Sequence, residues 1–143
     1  MCDRAAEPLL LHHLEDCRGC RRAIAEVDFS AVDSAPEELL VFYHPDTLRQ
    51  ICALRKHLLM KEAAGTLTPG ERWVRMVAVN RLTGHSTGFF SVYTLPPNQA
   101  VSASSQAKIN ARRRQVPPRR DVRALILAKT RSLLADCDAA ARA

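Results

Sequence analysis

At 143 residues, the chain is long enough to bury one ordinary hydrophobic core but too short for two full domains. Hydrophobic residues make up 47% and charged residues 25% of the sequence, which excludes a wholly disordered chain, and no apolar run approaches the ~20 residues of a bilayer span. The net charge is +6, the five cysteines are an odd number, and the N-terminus lacks a secretory signal pattern, so we expect a cytoplasmic protein with reduced thiols and no membrane partner.

The N-terminal segment, residues 1–38, is predicted to be helical and to end in a polar connector. Helical periodicity covers Leu9 to Val27, as one helix or a helix pair. Asp28 to Glu38 is polar, and its Ser34-Ala35-Pro36 sequence suits a turn. The main structural segment is therefore expected to follow it, at residues 39–143.

Three residues of the N-terminal segment have the spacing of metal ligands. Cys17 and Cys20 lie three positions apart, and His13 precedes Cys17 by four. On a helix these positions share one face, and thiolates with imidazole suit zinc. The motif resembles the zinc-binding motif of bacterial anti-sigma factors. The nearby candidates for the fourth ligand are Cys2 and His12, and the alternative is a fourth ligand from outside this chain. The alternative is an amphipathic helix with two cysteines and an exposed histidine; if zinc binds, it is a structural clip.

A first central helix is predicted after Tyr43-His44-Pro45. Asp46 or Thr47 is available near its first turn as a capping residue. The helix should extend over about four turns. Its predicted apolar face consists of Leu48, Ile51, Cys52, Leu58 and Leu59.

A second central helix is predicted from Glu71 to Leu82. Thr68-Pro69-Gly70 is expected to break the chain before this helix, and Gly84 is expected to stop it. Trp73 lies on the apolar face, where it is most simply an anchor of the core.

The segment from Gly88 to Thr94 is predicted to be one short strand or an ordered loop. It is rich in aromatic and β-branched residues, and Pro96-Pro97 prevents a helix from running through it. Its rings could line a DNA-facing or substrate-facing surface, but adjacent aromatic residues are more often part of the core.

Two helices are predicted in the C-terminal part of the chain, separated by Pro117-Pro118. The first extends over Ala100 to Arg114 and has a basic outer face, and the second begins near Asp121. The apolar stripe of the second helix consists of Val122, Leu125, Ile126, Leu133 and Leu134.

Positive charge is concentrated in this C-terminal part. Between residues 106 and 131 there are nine basic residues against Asp121 alone, so this stretch carries +8 and the remainder of the chain −2. Such local density is typical of a surface that binds nucleic-acid phosphates, and a solvated helix face is the alternative. The candidate contacts are Lys108, Arg112, Arg113, Arg114, Arg119, Arg120 and Arg123.

Long stretches of the chain resemble the central helical segment of bacterial site-specific DNA methyltransferases that methylate N4 of cytosine or N6 of adenine. The stretches that carry the resemblance are residues 44–51, 75–85, 88–100, 108–114 and 116–126. The resemblance implies DNA as a partner and S-adenosylmethionine as the cofactor of the complete enzyme. It also implies that the segment lies between the two catalytic motifs of the family.

Neither catalytic motif of that family is present in the sequence. The five glycines form no glycine-rich cofactor turn. Leu95-Pro96-Pro97-Asn98 and Val116-Pro117-Pro118-Arg119 have the two prolines of the catalytic loop, but neither the polar residue before them nor the aromatic residue after them. We therefore assign no catalytic residue and no cofactor-binding residue to this chain.

The expected fold is mainly α, a helical subdomain with one short strand or extended loop. The chain would be an insertion or fragment of an α/β S-adenosylmethionine-dependent methyltransferase, since it cannot build that enzyme's sheet by itself. It would supply a helical scaffold and DNA-backbone contacts, while the catalytic portion lies elsewhere in the same protein or in a second chain. The alternative is a stand-alone, zinc-clipped module that binds protein or nucleic acid.

Overall fold

The computed structural model describes residues 18–30, 34–95, 99 and 101–142, with the side chains of the last helix described as far as Cys137. In order, the elements are α1 (Arg18–Ala25), a 3₁₀ helix (Glu37–Val41), α2 (Pro45–Ala63), α3 (Pro69–Arg81), α4 (Ala103–Arg113) and α5 (Val122–Arg142). These ranges contain no β-strand, and the mainly α fold is confirmed. The segment from Gly88 to Thr94 is a loop, with one isolated bridge between Gly84 and Tyr93.

The N-terminal elements differ in detail from the prediction. Helix α1 is the described part of the helical region predicted from Leu9, whose first residues lie outside the described ranges. The connector is shorter than expected, because Glu37 and Glu38 already belong to the 3₁₀ helix that Pro36 introduces.

Helix α2 is longer than predicted and is capped by a different residue. The side chain of His44 accepts a hydrogen bond from the Asp46 amide at 3.1 Å, so the expected cap at Asp46 or Thr47 is wrong. The helix spans 19 residues and ends in a turn at Gly65, which has φ +67°. The amides of Gly65 and Thr66 donate to carbonyls of the last helical turn at 3.0 and 2.9 Å, as in a Schellman motif.

Helix α3 begins at the residues that were expected to break the chain. Thr68 is its N-cap and forms a capping box with Glu71, while Pro69 occupies the first turn, where a missing amide hydrogen costs nothing. The helix ends at Arg81, before the stop expected at Gly84. The role of Gly84 is steric, since a Cβ there would lie 2.5 Å from ring atoms of Phe89.

The core lies between α1, α2, α3 and α5. Helices α1 and α3 approach so closely that a Cβ on Gly70 would lie 2.9 Å from the Gly19 carbonyl oxygen. Most of the apolar faces are as predicted, but Leu59 is 47% exposed, and Ala53 and Leu54 are buried in α2 instead. The largest buried apolar side chains are Phe90, Ile24, Leu48, Ile126, Val74, Val77 and Val122.

Two further predictions concern Trp73 and the membrane. Trp73 packs against the core, and its indole N–H donates a hydrogen bond to the Thr130 hydroxyl at 3.1 Å. None of the helices in the described ranges combines the length and the apolar content that a bilayer span would require.

Candidate nucleic-acid interface

The seven predicted contact residues lie along one continuous stretch of chain. Lys108, Arg112 and Arg113 belong to α4, Arg114 is its C-cap, and the other three lie between that cap and the first turn of α5. Six of the seven are exposed, and Arg120 is partly buried. We call these seven residues the basic surface.

Helix α4 is held in place by three amide side chains, Gln106, Asn110 and Gln115, which we call the amide cluster. The Gln106 and Gln115 amide groups both donate to the Tyr93 carbonyl, at 2.9 and 3.1 Å, and to Asn110 Oδ1, both at 2.8 Å. Asn110 Nδ2 in turn donates to the Val41 carbonyl at 2.8 Å. The cluster therefore ties α4 to the loop before it and to the 3₁₀ helix.

This attachment determines which face of α4 is presented to solvent. Gln106 is fully buried and Asn110 partly buried, and these two residues lie one helical turn apart on the inner face. Lys108 and Arg112 are also four residues apart, displaced by about half a turn from the inner pair, and both are exposed. Two of the cations thus project from a helix whose opposite face is fixed.

The C-terminal end of α4 is shaped by two arginines. The Arg113 guanidinium carbon lies 3.7 Å from the centroid of the Tyr93 ring, and its Nε donates to Gln115 Oε1 at 3.3 Å. Arg114 has φ 51°, in the left-handed region that costs a non-glycine residue about 1 kcal/mol. The backbone N–H of Arg114 donates to the backbone carbonyl of Ala111, and the backbone N–H of Gln115 donates to that of Asn110. These bonds satisfy free carbonyl groups at the C-terminal end of the helix.

The segment between α4 and α5 is fixed by the first turns of α2. The buried Thr47 hydroxyl accepts from the Arg120 amide at 2.8 Å and donates to the Arg120 carbonyl at 3.0 Å. Gln50 Oε1 accepts from the Val122 amide at 2.9 Å. Both ends of the basic surface are therefore attached to the body of the fold through uncharged hydrogen bonds.

Not every cation of the basic surface is equally available to an anion. Arg119 Nε lies 3.3 Å from Asp46 Oδ2, and that carboxylate also pairs with Arg49 at 3.1 Å. The Arg123 guanidinium lies 5.2 Å from the ring of Phe29. Arg120 Nε is buried and has no hydrogen-bond partner among the described residues. Lys108, Arg112 and Arg114 are exposed and have no side-chain partner among the described residues, so they are the most available of these charges.

The loop from Gly84 to Leu95 contributes aromatic residues beside the basic surface. Phe90 is 1% exposed and belongs to the core, whereas Phe89 and Tyr93 are only partly buried. Arg81, at the end of α3, lies over the Phe89 ring at 4.1 Å. Arg81 lies outside the stretch between residues 106 and 131, but in the fold it contacts the same loop as Arg113, which no local pattern in the sequence indicates.

A second polar centre surrounds Glu71, whose side chain is 1% exposed. Its Oε2 accepts from the Thr68 amide at 2.8 Å, and its Oε1 lies 3.0 Å from His57 Nε2 and 3.7 Å from Lys61 Nζ. Burial raises the pKa of the Glu71 carboxyl, but the bonds from Thr68 and His57 and the charge of Lys61 outweigh it and leave the pKa below its ordinary value. We call Glu71 with these partners the carboxylate cluster. Its polar contacts stay within the fold, which suits a structural role.

One groove among the described residues is mainly apolar. It has a volume of about 1430 Å³ and lies between the 3₁₀ helix, α2 and α3. Its lining includes Leu39, Phe42, Ile51, Leu59, Val79 and Phe90. Most of this lining is apolar, with Arg55, Lys56 and Arg75 also bordering the groove, whereas the basic surface consists of cations alone.

The predicted zinc ligands fall almost entirely outside the described residues. His13, Cys17, Cys2 and the alternative His12 are all among residues 1–17, which the structure does not describe. Cys20 is 5% exposed in α1. In the described part of the chain, no three His, Cys, Asp or Glu side chains are grouped as metal ligands. The zinc clip therefore stays a prediction.

Comparison of the chain with protein families, with curated proteins and with solved structures finds no match. The resemblance to DNA methyltransferases therefore stays a prediction based on the sequence.

Proposed function

We propose that this chain binds the phosphate backbone of DNA through its basic surface, as the DNA-contacting scaffold of a larger methyltransferase. The observation that carries the proposal is the exposure of Arg112, Arg113 and Arg114 at the end of a helix whose inner face is fixed by the amide cluster. Cations on a backbone that is already held in place require less ordering of the chain when they meet phosphates. The methyl-transfer chemistry, with S-adenosylmethionine as cofactor, would belong to the catalytic portion outside this chain.

The charge distribution supports a polyanion as the partner. Neutralising several phosphates releases condensed counterions, and this release favours binding without reading the base sequence. The amide cluster and Thr47 hold the basic surface through neutral groups, so its cations are not used up in supporting the fold. Among the seven residues of the basic surface, only Arg119 is paired with a carboxylate that the structure describes. That ion pair is exposed and therefore weak.

The experiment is a salt titration of duplex DNA binding, measured by fluorescence anisotropy. Replacing Arg112, Arg113 and Arg114 together with alanine should flatten the slope of log Kobs against log salt by nearly 3, at about 0.9 per phosphate contact. The affinity loss should be the same for unrelated DNA sequences, because backbone contacts carry no sequence information.

The matched control replaces three exposed arginines elsewhere, Arg18, Arg55 and Arg72, with alanine. This variant loses the same net charge but leaves the basic surface intact. Its salt slope should stay near that of the unmodified chain. Equal losses in the two variants would mean that binding follows net charge alone, which would contradict a localised surface.

A further inference from the structure

The loop from Gly84 to Leu95 places two aromatic residues beside the same glycine. Gly84 forms a bridge with Tyr93, and its carbonyl accepts from the Thr94 amide at 3.1 Å. A Cβ on Gly84 would lie 2.5 Å from three carbons of the Phe89 ring, so this ring lies directly against the glycine. Phe89 and Tyr93 are therefore neighbours of one backbone position.

The ring of each of these residues is in contact with the guanidinium group of an arginine, and the two arginines belong to different helices. The guanidinium carbon of Arg81 is 4.1 Å from the centroid of Phe89, and that of Arg113 is 3.7 Å from the centroid of Tyr93. Both guanidinium groups are also fixed through Nε, which donates to the Asn80 carbonyl at 3.1 Å in Arg81 and to Gln115 Oε1 at 3.3 Å in Arg113. The two planar cations are thus oriented before any ligand binds.

This orientation limits what the two arginines offer to a ligand. One face of each guanidinium is covered by a ring, and Nε is engaged, so the edge that binds phosphate in a bidentate manner is partly occupied. Arg113 is exposed and Arg81 partly exposed, so both guanidinium groups can still be reached from solvent. A guanidinium plane stacks well on a nucleobase. In a duplex, neighbouring bases cover these faces, so only an unpaired base can present one.

We propose that Arg81 and Arg113 stack on unpaired nucleobases, so that the loop from Gly84 to Leu95 makes this surface favour single-stranded over duplex DNA. The inference rests on the proposed function for the choice of DNA as the ligand. It adds Arg81 to the binding surface and assigns Arg113 a role beyond neutralising phosphate. Stacking tolerates any base, so the preference is for strand state and not for sequence.

The test compares the affinities for a short oligothymidylate and for a duplex of the same length by fluorescence anisotropy. Lysine keeps the charge of arginine but lacks its plane, so the double variant Arg81→Lys, Arg113→Lys isolates stacking from charge. The ratio of single-stranded to duplex affinity should fall about three- to ten-fold. The double variant Arg55→Lys, Arg72→Lys, at exposed arginines outside the basic surface, is the control and should leave the ratio unchanged.

A second measurement follows the arginine Nε–H NMR signals of the isotope-labelled, unmodified chain as a single-stranded oligodeoxyadenylate is added. A base stacked on a guanidinium group should shift the signals of Arg81 and Arg113 by its ring current. An unchanged affinity ratio in the double lysine variant, or unshifted signals, would overturn the inference while duplex binding and its salt slope keep the proposed function intact. Failure of the unmodified chain to bind either oligonucleotide would overturn both.

Discussion

Two buried polar clusters connect distant parts of this chain, and they differ in charge and in what they hold. The carboxylate cluster is ionic and joins the start of α3 to α2, within the helices that form the core. The amide cluster is neutral and joins α4 to the loop and to the 3₁₀ helix. The first supports the body of the fold, whereas the second positions the basic surface. Substitutions in the carboxylate cluster should therefore affect stability alone, whereas substitutions in the amide cluster should affect DNA binding as well.

The largest effect is expected from Glu71→Ala. This change removes the capping box and leaves the Thr68 amide and His57 without their acceptor, so the free energy of unfolding should fall by about 3 kcal/mol. Urea unfolding followed by the fluorescence of Trp73 measures this loss. Glu71→Gln keeps an oxygen acceptor for Thr68 and should lose less. A loss below about 1 kcal/mol in the alanine variant would mean that the carboxylate is not important for stability.

A smaller loss of stability, accompanied by a loss of binding, is expected from Asn110→Ala. The Val41 carbonyl and the amide groups of Gln106 and Gln115 would lose their shared partner, at a cost of about 2 kcal/mol. Duplex affinity should fall as well, because α4 is no longer fixed. Ser104→Ala, on the exposed side of α4, is the control. If Asn110→Ala bound DNA as tightly as the unmodified chain, the amide cluster would have no role in positioning the basic surface.

Lowering the pH should affect the stability contributed by the two clusters differently, because only the carboxylate cluster contains titratable side chains. The pKa of Glu71 is lowered from its ordinary value of 4.5 in the folded chain, so its contribution to stability is present above that value. The contribution is lost as the pH falls through the lower folded pKa. The stability difference between the unmodified chain and Glu71→Gln should therefore shrink as urea titrations move from pH 7 towards pH 3. The corresponding difference for Asn110→Ala should not shrink, and a parallel decline would contradict the distinction.

The smallest effect is expected from Arg114→Gly, and it should be stabilising. Glycine adopts positive φ without strain, so the C-terminal turn of α4 should gain somewhat under 1 kcal/mol. The same variant should flatten the salt slope of duplex binding by about 0.9 if Arg114 contacts a phosphate. Arg112→Gly, inside α4, should instead destabilise the chain by about 1 kcal/mol. Thermal unfolding distinguishes the expected gain in stability of Arg114→Gly from the expected loss in Arg112→Gly.

Local patterns in the sequence predicted much of the helical architecture. The periodic apolar residues of α5 are buried or partly buried as expected, and the basic residues after Gln106 are mostly exposed. The sequence-based predictions of helix boundaries were wrong where one residue type can either break a helix or begin one. Proline and glycine after Thr68 were expected to break the chain, but a proline is equally suited to the first turn of a helix, and the capping box decides between the two.

The contacts that build the candidate site could not be predicted in this way. Thr47 bonds to the backbone of Arg120, which is 73 residues away in sequence. Asn110 bonds to Val41 at a separation of 69 residues, and no local pattern indicates either pairing. An imidazole cap at His44 was missed because residues of the usual capping types, Asp46 and Thr47, follow it two and three positions later. Such contacts depend on how the helices pack.

The central claim is that the end of α4 and the segment leading into α5 form the DNA-binding surface. An NMR titration of the isotope-labelled chain with a short duplex tests this claim most directly, residue by residue. We predict that the amide signals of Lys108, of residues 112–114 and of residues 119–123 shift together and saturably, and that added salt reverses the shifts. Shifts concentrated on the groove wall at Leu59, Met60 and Val79, or no shifts at all, would contradict the account.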